Sequence, residues 1–477
     1  MPLQHPDLSP LRTVRHGLTP AALALAALLS GCAALPAPNA ALPETPMQTA
    51  WSAPTPPSSG AATAASASLA VWWQRFNDPQ LTALVTQSLQ ANTTVRSAQA
   101  ALQQARALRD VSAASLGPAL NASASAQRSK SGGNDASNLF KTGFDASWEP
   151  DVFGGNHSTL NATESDARAA EASLADTQVS IAAEVAVAYI QLRGLQTQLD
   201  IASRNLASQN ETLQITRWRA QAGLTTSLEV EQARTSSEQT SATLPVLQTS
   251  LATTRHSLAV LTGQTPDALE ATLAEGRPVP QASAGLALTI PAQTLRQRPD
   301  VRAAEHRVSA ALARVSVAQA ARYPSFSISG SLGLSALTLG SLTGGASAVN
   351  ALLGSVSVPL FDGGAAKSQV YAQEAALEQA RVSYQATVLT ALKDVEDALT
   401  ALSGDRTRLG HLDNAATAAA NADLLAQQRY SSGLIDFQTV LQTQRTLLTA
   451  QDSAASARAD ISADHVRLYK ALGGGWN

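Results

Sequence analysis

Four stretches of the chain alternate apolar and polar residues with a period of two. Leu120-Asn121-Ala122-Ser123-Ala124-Ser125-Ala126-Gln127 does so strictly, and Phe140 to Glu149 sets Phe140, Phe144, Ala146 and Trp148 against Lys141, Asp145, Ser147 and Glu149. In the second half, Phe326, Ile328, Leu332 and Leu334 stand against Ser327, Ser329 and Ser331, and Val356, Val358 and Leu360 against Ser355 and Ser357. A period of two belongs to a strand whose two faces meet different surroundings. The Gly-, Ser- and Asn-rich stretches Arg128–Leu139 and Ser335–Asn350 read as loops. Strands are therefore predicted at about 118–128, 140–150, 324–334 and 352–361. Such lengths, roughly nine or ten residues, suit a tilted crossing of a bilayer. The pattern offers no third layer to cover the apolar face. Four strands are too few to close a barrel around a lumen, and lipid accepts no open sheet edge, so spanning strands require several copies of the chain.

A second period runs through the longest segments. Leu160, Ala167, Leu174, Ile181, Ala188 and Leu195 recur every seven residues, echoed by Val370, Leu377, Tyr384, Ala391 and Ala398. A sustained heptad implies left-handed supercoiling. A helix from about Asn156 to Ala222 would run on the order of 100 Å at 1.5 Å per residue, several times the bilayer core. It must project into an aqueous compartment.

The two halves match each other. Val95/Val301, Arg96/Arg302, Ala98/Ala304, Ala105/Ala311, Val111/Val317 and Pro118/Pro324 align without a gap, and Gly223-Leu224 with Val230 and Gln232 lies opposite Gly433-Leu434 with Val440 and Gln442. One duplication covers nearly the whole body, in repeats far longer than solenoid units. The predicted fold is mainly α with transmembrane β, each half reading helix, two strands, long helix, turn, helix, with Gly223 and Gly433 as the inter-helix turns. Residues 71–270 form the first repeat, 271–290 a linker, 291–473 the second repeat and 474–477 a tail. The body opens at Val71-Trp72-Trp73, with Asp78 as N-cap and Pro79 as the first helical residue.

Ahead of the body, Arg12, Arg15 and His16 precede an apolar run, Leu18 to Leu29, too short to span a bilayer permanently. Residues 1–31 read as a signal peptide. Leu29-Ser30-Gly31-Cys32 resembles the bacterial lipobox and contains the only cysteine of the chain, so lipidation at Cys32 is expected. Ala33 in place of Asp after it implies, by the same resemblance, sorting to the outer membrane. Residues 32–70, rich in Pro, Ala, Ser and Thr, make a lipidated N-terminus and an extended tether.

Composition sharpens this picture. Aromatic residues are 4% and charged residues 14% of the chain, so contact must come from many small side chains on closely packed helices. A net charge of -3 provides no basic face for nucleic acid. Nucleophile elbows, phosphate loops, zinc-protease motifs and clustered metal ligands are missing from the sequence, and His157, His256, His306, His411 and His465 fall singly on predicted helices. An enzyme, a cofactor and a metal site are not expected.

The motifs Trp72-Trp73 through Phe76-Asn77-Asp78-Pro79-Gln80-Leu81, Arg298-Pro299-Asp300-Val301, Pro359-Leu360-Phe361-Asp362-Gly363-Gly364 and Arg429-Tyr430-Ser431-Ser432-Gly433-Leu434 resemble the TolC family of outer-membrane efflux proteins, in its lipoprotein branch of OprM-like and NodT-like members. The resemblance covers nearly everything after the tether. It implies a homotrimer closing a 12-stranded β-barrel in the outer membrane and an α-helical barrel in the periplasm. It also implies a periplasmic adaptor protein and an inner-membrane pump of the resistance-nodulation-division class, for which the channel is a passive conduit of small molecules. An outer-membrane component of type I protein secretion shares the fold, and a structural periplasmic lipoprotein is a further alternative that leaves the strands unexplained. In the family, the helix after the Tyr-x-x-Gly turn lines the narrowest constriction, often with an acidic residue nine positions after the glycine and, in OprM-like members, an arginine three further on. Counting from Gly433 gives Gln442 and Arg445, with Gln438 and Thr439 a turn earlier on a similar side and Asp436 as the arginine's counter-charge. The arginine is kept and the acid is not, so hydrogen bonds rather than ion pairs are expected to close this aperture.

Overall fold

The computed structural model describes residues 71–133, 135–282 and 292–474. Cys32, the signal segment and the tether lie outside the described residues. A 3₁₀ turn, Trp72–Phe76, leads into α1 (Pro79–Ala91) and α2 (Thr93–Ala114); β1 (Ala119–Ser129) and β2 (Ser137–Trp148) follow, then α3 (Gly155–Gln221) and α4 (Ser227–Leu261). The second half repeats this with α5 (Pro299–Ala320), β3 (Ser325–Ala336), β4 (Ala348–Ser357), α6 (Ala365–Ser431) and α7 (Phe437–Ala471). The duplication is kept in element lengths. α2 and α5 are each 22 residues, α3 and α6 each 67, and α4 and α7 each 35. Among the described residues no helix is long and apolar enough to cross a membrane.

The strands form one antiparallel sheet in the order β1-β2-β3-β4. Its register puts Ala122, Phe144 and Leu332 in one row and Trp148 beside Ile328, so these apolar residues share a face while Ser123, Asp145 and Ser331 share the other, together with Val349 and Leu353 of β4. On the polar face Ser123 donates to Asp145 Oδ2 (2.8 Å) and Ser327 meets Ser355 at 2.6 Å. Gly143 and Gly333 are paired where a Cβ would meet the opposite backbone at 2.6 and 2.5 Å, so only glycine permits that approach.

Three boundaries differ from the sequence pattern. β2 begins at Ser137 rather than 140, because Ser129 pairs with Ser137 and tightens the hairpin. β4 spans 348–357 rather than 352–361: the alternation runs on through Val358 and Leu360, but Pro359 has no N–H for the ladder. Part of the predicted linker is docked core. Leu273 is buried, and the Thr272, Leu273 and Glu275 carbonyls accept from Gln80, Gln196 and Arg193.

The largest core joins the middle of α3 and α6 to α1 and to the C-terminal ends of α4 and α7. Trp72 stacks on Tyr469 (5.6 Å between rings), and Gly194 allows α3 to approach α7 so closely that an added Cβ would sit 3.0 Å from Ala459 Cβ. Buried Arg193 reaches Gln80, Gln196 and the Glu275 carbonyl, while the Tyr189 hydroxyl, its pKa pushed up to about 12 mainly by burial, donates to Asp78. Asp78 also caps α1 through the Gln80 and Leu81 amides.

Arg298 ties the start of α5 and the end of α7 to the middle of α6. It is 7% exposed, pairs with Asp300 (2.7 Å) on α5 and Asp394 (3.4 Å) on α6, and donates to the last carbonyl of α7, Ala471 O, at 2.6 Å. Arg298→Met strands two carboxylates and a carbonyl around an apolar side chain. The expected cost is about 3 kcal/mol, read as a lower thermal midpoint, with Arg298→Lys restoring only part because an ammonium lacks the planar fork. Equal stability of the methionine variant and wild type would contradict this role.

Candidate functional site at the helical tip

Both long helix pairs turn on a glycine in the left-handed region. Gly223 and Gly433 each have φ +74°, and the same bonds close both turns: Leu224 N–H to Arg219 O (2.8 Å) with Gly223 N–H to Ala220 O, and Leu434 N–H to Arg429 O (2.9 Å) with Gly433 N–H to Tyr430 O. A left-handed residue with this pair of bonds terminates a helix without orphaning its last carbonyls. The tip is then pinned from inside. Phe437 is buried against Leu213, Ala233 and Leu441, Tyr430 packs on Phe437 (5.4 Å), and the Arg219 guanidinium lies 4.5 Å over the Tyr430 ring.

With the helix starts fixed, α4 and α7 present a polar groove lined by Glu231, Gln232 and Thr235 from one and Gln438, Gln442 and Arg445 from the other. Gln232 donates to Gln438 Oε1 at 3.4 Å. The structure thus brings together Gln438, Gln442 and Arg445. It places Thr439 and Asp436 elsewhere: Asp436 is the N-cap of α7, accepting from Thr439 N–H (2.8 Å) and Oγ1 (2.6 Å), and these bonds lower its pKa. Within the protomer its carboxylate is committed to the helix start and makes no ion pair with Arg445, which lies more than two turns further on. Arg445 makes no ion pair within the protomer among the described residues. The carboxylate sharing its groove is Glu231, on the other helix, held only by a 3.9 Å contact with Arg234. Sequence reasoning missed Glu231, whose position in the duplication is occupied by Leu441. Amides and one guanidinium can donate and accept hydrogen bonds across a gap; the groove holds no nucleophile paired with a base.

Behind the groove, buried polar side chains interrupt the coiled-coil interior. Gln444 donates to Thr212 Oγ1 (2.9 Å), Asn205 to Gln451 Oε1 (3.0 Å), and Asp423 accepts from Gln427 (2.8 Å) and Thr443 (3.3 Å). Elsewhere, burial and Arg406 push His465 down to about 4, so it stays neutral at physiological pH.

The comparisons with known proteins now decide the family. The family model described as "Outer membrane efflux protein" matches residues 84–264 and again 290–474. The chain belongs to the outer membrane efflux protein family. It is 32% identical over 422 residues to the pyoverdine export outer membrane protein OpmQ of Pseudomonas aeruginosa, covering 85% of this chain and 87% of that protein. It is 30% identical to nodulation protein T of Rhizobium leguminosarum bv. viciae, over 97% of this chain and 94% of the relative. The solved structure of the outer-membrane channel OprN superposes with a TM-score of 0.81 at 34% identity, covering 92% of this chain and 100% of that one. As a member of this family, the protein is an outer-membrane efflux channel component with the TolC-like fold.

Burial is the largest influence on Asp423 and raises its pKa above 3.8, outweighing the hydrogen bonds from Thr443 and Gln427. Folding therefore holds the Asp423 proton more tightly than the unfolded chain does. Its stabilising contribution is complete below the ordinary carboxylate value and is lost as pH rises through the raised one. Asp423→Asn, fixed neutral, is expected to flatten that part of the dependence and to be more stable than wild type near neutral pH. Thermal unfolding in detergent from about pH 4 to about pH 8 reads this. An unchanged pH profile would contradict it.

Proposed function

We propose that three copies of this chain close a 12-stranded β-barrel across the outer membrane, continued by the long helices into the periplasm. The assembly is a passive conduit for small molecules delivered by a periplasmic adaptor and an inner-membrane pump of the resistance-nodulation-division class. The observation that carries this reading is the sheet: strands of 10 to 12 residues, one apolar face exposed in the single chain, and unpaired edges at both β1 and β4. In lipid those edges demand partners, and β4 of one copy against β1 of the next supplies them. The apolar face then meets lipid and the serine face lines the lumen. Pyoverdine export belongs to the name of the relative OpmQ; here the pump sets the cargo, and the protein itself is not an enzyme. The lipobox-like Cys32 adds an acyl anchor in the outer membrane, additional to the barrel.

At the periplasmic end, Gln442 and Arg445 of each copy narrow the aperture by hydrogen bonding across the grooves, with Gln438 beside them. Neutral amides do not titrate and are little screened by salt.

Three outcomes follow. Phe144→Lys or Ile328→Lys should each cost about 2 to 4 kcal/mol of barrel stability near the midplane, against a mild effect of Ser327→Lys; equal damage from both faces in detergent-resistance assays would refute the assignment of faces. Single-channel conductance of the purified protein should show a closed state that Gln442→Ala and Arg445→Ala each open more often, with little dependence on acid. A closed state untouched by both variants would remove these residues from the aperture. Intact mass of the processed protein should show acyl chains on Cys32, and an unmodified cysteine there would remove the anchor.

A further inference from the structure

The turns of the two hairpins lie at the end of the sheet opposite the helices, so in the barrel proposed above they stand at the outer surface of the membrane. The two hairpins differ there in charge. From Pro324 to Phe361, through β3, its loop and β4, the chain has no Asp, Glu, Lys or Arg. The first hairpin carries Arg128, Lys130, Asp135 and Lys141 toward its turn. With Pro118 matched to Pro324, the positions of Arg128 and Lys130 are taken in the second half by Leu334 and Ala336.

The pairing register assigns these charges to faces. Lys141 stands opposite Ser125 and Ser335, in the set of rows that holds Ser123, Asp145 and Ser331, and so belongs to the lumen side. Arg128 stands opposite Asn138 and continues the set Leu120, Ala122, Ala124 and Ala126, whose partners include Phe144 and Phe140. It therefore belongs to the lipid side. Trp148, whose indole N–H donates to Leu116 O at 3.0 Å, marks the helix-side end of that face. From Leu120 to Arg128 the strand runs about 26 Å, or about 20 Å along the membrane normal at a tilt of about 40°. An apolar band is about 25 Å tall, so the Arg128 side chain rises from its upper edge to the headgroups. Lys130 follows just beyond the end of β1.

Both cations are exposed, and among the described residues neither makes an ion pair, with Asp135 of the same loop or with any other carboxylate. β2 and β4 place no carboxylate on the lipid side, so closing the barrel would supply none there. A guanidinium at the edge of hydrocarbon is then left to find its anion in the membrane itself. We propose that Arg128 and Lys130 of each copy bind a phosphate of a phosphorylated glycolipid in the outer leaflet, with Asn138 beside them. The planar fork of Arg128 suits two oxygens of one phosphate, and Lys130 adds a point charge. This rests on the multi-copy barrel proposed above. The charge-free second hairpin leaves one such site per copy, on the edge strand next to the following copy.

The test reconstitutes the full-length protein in nanodiscs of phosphatidylethanolamine with rising mole fractions of lipid A. Lipid A carried by the released oligomers is counted by native mass spectrometry. Wild type is expected to retain it, and Arg128→Gln and Lys130→Gln each to raise the half-saturating fraction about fivefold, or about 30-fold together. Arg128→Lys, which keeps the charge without the fork, is expected to fall between wild type and Arg128→Gln. Lys141→Gln removes an equal charge from the lumen side and is expected to leave retention unchanged. A wild-type particle of three chains that retains lipid A no better than the double variant would overturn the site. So would a loss with Lys141→Gln as large as that with Arg128→Gln. Wild type released only as single chains would overturn the barrel as well.

Discussion

An open sheet edge cannot stand in hydrocarbon, and the rest of this structure follows from that constraint. Each unpaired N–H and C=O there costs several kcal/mol because no water is present to satisfy it. The sheet of the described residues has four strands, with β1 and β4 at its margins, and has to find the missing partners outside itself. Once the copies are arranged around an axis, the helices leading from the strands are carried into the same arrangement. Their length then determines how far the conduit reaches from the membrane.

The helical part meets a different demand, which is to pack long walls with few large side chains. Small residues allow close approach, as at Gly194 and Ala459. Charges are admitted to the interior where several groups share them, as at Arg193 and Arg298. Toward the tip the interior becomes polar, with Gln444, Asn205 and Asp423 each held by a side chain of another helix or turn. A core closed by hydrogen bonds has less to lose from a shift of one helix along another than a core of interdigitated leucines.

How much of this was legible in the sequence depended on whether a residue's role is periodic. The strands and the long helices show because alternation and heptads repeat, and the duplication shows because both halves kept their turn glycines, Gly223 and Gly433. Pairing Gln232 with Gln442 in that alignment anticipated two residues the structure places in one groove. Single positions were harder. Val358 and Leu360 prolong the alternation past the end of β4, where Pro324 and Pro359 leave no N–H to extend the ladder. Asp436 stands three residues before Thr439, the spacing of an N-cap, and this local bond outcompeted the longer-range pairing with Arg445. Glu231 and Asp423 carry no periodic signal, since one sits on an exposed helix face and the other is a polar residue inside a coil; their surroundings come from helices distant in sequence.

The central claim is that the edges of this sheet are closed by further copies of the same chain. Native mass spectrometry of the full-length protein released from detergent tests it most directly. The account requires a particle of three chains that survives removal of the detergent, with no stable monomer. A particle containing one chain, under conditions that leave the sheet folded, would contradict it.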